Sequence, residues 1–132
     1  MAESIVTILI ADRNPHVRNY LKREIGAAGY RVQLAKSARE ILGRVSGPEP
    51  VDILILDLNL PDEGGSFLLE KIKDRAPSIS VIVHGFLSDF LSDPISSAPL
   101  FFVEKRGTSI DDLKRTIAKA LRERRSPGVI RT

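Results

Sequence analysis

Four apolar runs in this chain are each followed by residues able to do chemistry. "TILIA" leads into Asp12 and Arg13, "ILIL" into Asp57, "SVIV" into His84 and Gly85, and "FFV" into Glu104 and Lys105. A charge where a strand meets solvent can be simple hydration. Convergence argues otherwise: if the runs are neighbouring parallel strands, their ends share one edge of a sheet. The carboxylates of Asp12 and Asp57 would then meet the ammonium of Lys105 in one crevice, with Arg13 beside them. Such a set suits reactions of anions, in which an ammonium group and a divalent cation offset the negative charge gathering on transferring oxygens.

The elements that must position these residues can be read from the pattern. Apolar runs rich in β-branched residues alternate with helical periodicity, the signature of βα units around a parallel sheet. "SIVTILIA" is the first strand. Asn14 caps the helix that follows, Pro15 sits in its first turn, Val17, Leu21, Ile25 and Ala28 share a face, and Gly29 stops it. "YRVQLA" is the second strand, followed by Ser37 and Glu40 at capping-box spacing and by Ile41, Leu42 and Val45. The third strand lies between Asp52 and Asp57 and is wholly apolar, as a central strand covered on both faces should be. A third helix runs through "SFLLEKIKDR", "ISVIVHG" is the fourth strand, and "PLFFVEK" the fifth. "SIDDLKRTIAKALRERR" is the last helix, with Ser109 and Asp112 able to cap it and Ile110, Leu113, Ile117 and Leu121 facing inward. Between strands four and five, Pro94 and Pro99 leave room only for a short helix.

The chain of 132 residues fits one domain with a single core. It has no cysteine, which excludes disulfides and thiolate metal sites. No apolar stretch reaches the roughly 18 residues of a membrane span, and the N-terminus lacks the basic region and long apolar core of a signal peptide, so a soluble, cytoplasmic protein is expected. The net charge of +3 is unevenly spread: residues 104–132 carry 9 basic and 4 acidic side chains. Lys119, Arg122, Arg124 and Arg125 suit the negative end of a helix dipole, and a solvated face is the expected role of that excess.

These motifs resemble the receiver domain of two-component response regulators, over residues 4–125. "ILIADRNP", its histidine aside, is similar to the strand that ends in an acid pair, "DILILDLNLPDEGG" to the phosphoacceptor strand and loop, and "FFVEK" to the fifth strand with its aromatic residue and lysine. The resemblance implies an α/β, doubly wound five-stranded parallel sheet, the (βα)5 flavodoxin-like fold, with strand order 2-1-3-4-5. Residues 1–125 would form the domain and residues 126–132 a flexible tail. It also implies that Asp57 is the phosphoacceptor, that Lys105 pairs with the phosphoryl oxygens, and that Phe102 is the aromatic switch position. Asp12, Asp57 and the backbone carbonyl of Asn59 would be the magnesium ligands. The expected partners are a histidine kinase or phosphotransfer protein and a downstream effector protein, for a regulatory domain rather than a dedicated enzyme.

Three positions depart from that pattern. Arg13 stands where the second acid of the pair is usual, so magnesium binding is expected to be weak or absent. Gly85 stands where a hydroxyl residue hydrogen-bonds the phosphoryl group. Arg106 follows Lys105 where a proline is common. Arg13 is therefore expected to act as a built-in cation holding Asp57 and Asp12; the competing arrangement has it swung out to water. His84, on a buried strand, is expected to be a satisfied core histidine.

Two other function classes were open. A phosphorylation-independent pseudo-receiver, acting as a protein-interaction module, needs only the fold. A flavodoxin-like cofactor-binding enzyme would need a Gly-, Ser- or Thr-rich phosphate cradle, and "ADRNPH" supplies neither glycine nor hydroxyl. Direct DNA binding is not expected, because no separate helix-turn-helix follows the receiver-like region.

Overall fold

The computed structural model describes residues 5–92, 100–106 and 109–125. Among these residues five strands alternate with five helices: β1 (Thr7–Ala11), α1 (Pro15–Ala27), β2 (Arg31–Ala35), α2 (Ala38–Val45), β3 (Ile53–Leu56), α3 (Gly65–Arg75), β4 (Ser80–Gly85), α4 (Leu87–Ser92), β5 (Phe101–Glu104) and α5 (Ser109–Arg125). All strand pairs are parallel and the order is β2-β1-β3-β4-β5. The βα alternation is the one read from the sequence pattern, and the doubly wound order is the one the resemblance implies.

Alternation along the strands divides the core in two. Ile53 and Ile55 of β3 pack with Ile8, Ile10, Leu21, Ile25, Leu113 and Ile117 on the α1 and α5 side. Leu54 and Leu56 pack with Leu9, Ile41, Leu68 and Ile72 on the α2 and α3 side. Each fully buried Leu or Ile contributes about 2 kcal/mol by removal of apolar surface from water. A one-residue slip of β3 would exchange its two faces and move Asp57 away from β1, so the core fixes the register of the site.

The helix starts follow from local chemistry. Asn14 accepts the His16 amide at 2.8 Å, and Pro15 opens α1, where no amide is needed. Ser37 accepts the Glu40 amide at 3.2 Å, but the Glu40 carboxylate reaches back to the Lys36 amide at 2.9 Å rather than to that of Ser37. The remaining amides of that first turn go to a distant residue: Asp62 accepts from Ala38 at 2.8 Å and from Arg39 at 3.0 Å. These bonds, that of Ala38 first, hold the Asp62 carboxyl below its usual range against the opposing effect of desolvation.

Several expectations need adjustment. Regular pairing of β1 begins at Thr7, and Ala28 lies past the end of α1 as an exposed C-cap, so only Val17, Leu21 and Ile25 form the inward stripe. Gly29 follows at φ 102°, the left-handed conformation that ends the helix. Arg124 donates to the Asp52 carbonyl at 2.9 Å and its carboxylate at 3.2 Å, a specific tie from α5 to the foot of β3 rather than a diffuse dipole effect. The stretch with Pro94 and Pro99, apart from α4, and the tail at 126–132 lie outside the described residues. Among the described residues no helix is long and apolar enough to cross a membrane.

Candidate functional site

The carboxyl ends of β1 and β3 bring the two acids together. The ladder runs one residue past each strand, with the Asp57 amide donating to Ala11 at 2.9 Å and the Asp12 amide to Ala35 at 3.2 Å. Asp12 is 1% exposed and Asp57 2%, and carboxylates so deeply buried require partners. Lys105, just beyond β5, places its ammonium 2.8 Å from Asp12 Oδ2 and 3.8 Å from Asp57 Oδ2. Its own backbone is fixed by an amide bond to the Gly85 carbonyl at 2.8 Å.

Arg13 meets Asp57 but not Asp12. Its amide donates to Asp57 Oδ2 at 3.2 Å and its Nε lies 4.0 Å from the same oxygen, while the side chain stays 57% exposed. Both arrangements weighed from the sequence are thus partly present: the cation touches one acid and most of it remains in water. The other oxygens are held by amides, Asn14 to Asp12 Oδ1 at 2.9 Å and Asn59 to Asp57 Oδ1 at 3.0 Å. Arg18 adds a bond to the Asp12 carbonyl at 2.6 Å.

The loop after β3 is pinned at both ends. Leu58 and Leu60 are buried, Asp62 caps α2, and the Asn59 side chain donates to Asp89 of α4 at 2.9 Å. Gly64 allows the return into α3, since a Cβ there would stand 2.1 Å from the Leu58 carbonyl oxygen. Gly65 follows with φ 69°. Neither Asp62 nor Gly64 stood out from spacing alone, although "PDEGG" is turn-like.

His84 is 3% exposed, as a core residue should be, but neither ring nitrogen has a hydrogen-bond partner. It is therefore not the satisfied histidine expected. Burial, and then the charge of Lys105, push its pKa down to about 4 against the pull of Asp57, so the ring is neutral at pH 7. Gly85 faces open space where a Cβ would point. Phe102 is half-buried against the α2 and α3 side of the core and borders a groove with Arg106, Arg115 and Lys119.

A family description matches residues 8–92: the response regulator receiver domain. The chain belongs to that family. A relative from Bradyrhizobium sp. (strain RP501 Parasponia), a DNA-binding transcriptional regulator NtrC, is 35% identical over 86 residues, which are 65% of this receiver and 18% of that protein. The receiver thus spans under a fifth of that relative. Among solved structures, the CheY-like response regulator receiver domain protein from Methanospirillum hungatei JF-1 superposes with TM-score 0.83 at 26% identity, over 95% of this chain and 100% of that one. TrrA from Thermotoga maritima, solved in complex with Mg2+ and BeF, gives TM-score 0.77 at 29% identity, covering 88% and 99%.

Receivers typically bind magnesium at this acidic edge, and the donor set here fits such an ion poorly. Two carboxylates are present, and all four of their oxygens receive an amide or lie against a cation, Arg13 and Lys105 sharing Asp57 Oδ2. A dication would be left the second lone pairs of Asp12 Oδ1 and Asp57 Oδ1, and would bear the repulsion of Lys105 and Arg13 beside them.

Proposed function

We propose that this receiver is a signalling module in which Asp57 accepts a phosphoryl group from a histidine kinase or phosphotransfer protein, with Lys105 and Arg13 offsetting the charge in place of a tightly held magnesium ion. The observation that carries this reading is the pair of cations on Asp57 Oδ2, Lys105 at 3.8 Å and Arg13 at 4.0 Å.

In the transfer, an Asp57 oxygen attacks phosphorus, the bond from phosphorus to the donor breaks with its electron pair leaving on the donor, and an acyl phosphate forms. Asp12 holds Lys105 in position for the incoming oxygens, and the amides of Arg13 and Asn59 orient the attacking carboxylate. Arg13, with its side chain largely in water, is the group that moves to admit the donor.

Output passes to an effector protein. The groove bordered by Phe102 carries Arg106, Arg115, Lys119 and Arg122 against Glu104 and Asp112, a net positive lining that suits an acidic surface.

A second reading, a phosphorylation-independent interaction module, is favoured by Gly85, which has no hydroxyl to offer a phosphoryl oxygen. Intact-mass analysis after incubation with acetyl phosphate, with magnesium or with EDTA, separates the two. The proposal predicts a phosphoryl adduct that survives EDTA and is abolished by Asp57→Asn. An adduct that requires magnesium would remove the role given to the cations, and no adduct under either condition would count against the proposal and favour the second reading.

A further inference from the structure

Behind the acid pair, on the α1 and α5 side of the sheet, a cavity of about 370 Å³ is lined by Val17, Tyr20, Leu21, Ile110, His84 and Lys105, among others. That size falls within the range of roughly 300–1,000 Å³ typical of small-molecule sites. Its walls are mostly apolar. Its polar lining is His16, Tyr20, His84, Ser109, Lys105 and Arg106; among the described residues no carboxylate lines it, and the two cations are also paired outside it, Lys105 with Asp12 and Arg106 with Glu104.

His84 is the observation that demands an occupant. A side chain 3% exposed with two unpartnered ring nitrogens is rare, because leaving a buried polar group without a partner costs about 1–3 kcal/mol. Both nitrogens belong to a ring that lines this cavity, and a neutral imidazole offers one N–H donor there.

We propose that this cavity binds a small monocarboxylic acid with an apolar body, its carboxylate received by the His84 N–H and the Lys105 ammonium and its body by Val17, Leu21 and Ile110. The charge of the lining selects an anion over a cation, and the apolar walls select a carboxylate with a hydrocarbon body over a bare inorganic anion. Lys105 ties this cavity to the acid pair, since its ammonium also lies 2.8 Å from Asp12. An occupant that draws on Lys105 would loosen its hold on Asp12, so binding is expected to alter the Asp12 side chain as well. The inference stands without phosphorylation of Asp57.

Sodium benzoate is the probe, followed by the histidine ring resonances in the 15N-labelled 132-residue protein, with acetate and benzyl alcohol as comparators. The expected result is a saturable shift of the His84 ring, with benzoate binding about tenfold or more tighter than either comparator, the factor expected for one charge-assisted contact or for the buried ring. His84→Leu, followed through the backbone amide resonances of Val17 and Ile110, should lose that binding while melting at the same temperature or higher. Val17→Trp, which fills the cavity from the half-buried face of α1, should lose it with the His84 ring still in place to report. Absence of a saturable benzoate shift, equal shifts with acetate, or benzoate binding that persists in Val17→Trp would overturn the proposal.

Discussion

Arg13 meets Asp57 twice, through its backbone amide at 3.2 Å and its guanidinium Nε at 4.0 Å, both on the same carboxylate oxygen. The two contacts differ in weight. The amide belongs to the backbone and survives any substitution except proline, while the guanidinium is mostly in water. Arg13→Ala should therefore change stability by less than about 1 kcal/mol, the scale of an exposed ion pair. Lys105→Met should cost roughly 3 kcal/mol or more, because it leaves buried Asp12 without its cation. Urea unfolding of both variants checks the contrast, and equal losses would mean that Arg13 carries more of the site than its exposure suggests.

The acid limb of the stability profile should carry the mark of His84. Its pKa in the folded protein is about 4, below the 6.5 of a free histidine, so as pH falls the unfolded chain takes up the proton first. Stability is thus fully present above pH 6.5 and is lost as pH falls towards 4, by roughly 3 kcal/mol at about 1.4 kcal/mol per unit. His84→Leu should flatten that part of the curve and raise stability at pH 5. An unchanged slope in the variant would show that the ring is hydrated or paired in solution.

Gly64 is a steric requirement rather than a flexible hinge. A methyl group there would meet the Leu58 carbonyl oxygen at 2.1 Å, and backbone cannot yield cheaply. Gly64→Ala should destabilise the protein by about 2 kcal/mol or more and disturb the Asn59 amide bond to Asp57. Gly43→Ala, where nothing stands within 4 Å, is the control and should be neutral or slightly stabilising.

Gly85 and Phe102 test the switch. Nothing stands within 4 Å of where a Gly85 Cβ would point; in the proposed switch that space would let Phe102 keep one position whatever the state of Asp57, and a beryllium fluoride adduct should leave a fluorine label on Phe102 nearly unshifted. Gly85→Thr has room for its side chain and should restore a response. A large shift in the wild-type protein would reveal coupling by another route.

Much of the fold was legible because its signals are local. The run Ile53–Leu56 between two aspartates marks a central strand, Asn14 with Pro15 marks a helix start, and the four strand ends locate the site. What escaped depends on contacts between residues distant in sequence. Asp62 caps a helix 24 positions back, Arg124 reaches Asp52 across 72, and no periodicity reports either. His84 was legible as a core residue, but its lack of partners is a property of the packed neighbours. The division of labour between Lys105 and Arg13 likewise follows from where β1, β3 and β5 end relative to one another.

The central claim is that the protein's own cations occupy the place of a metal ion at Asp12 and Asp57. Calorimetric titration of magnesium into the wild type and into Arg13→Asp tests it most directly. The substitution removes a cation and restores an oxygen ligand, and affinity should rise by about tenfold or more, a gain of at least ~1.4 kcal/mol. Equal affinities in the two proteins would contradict the account.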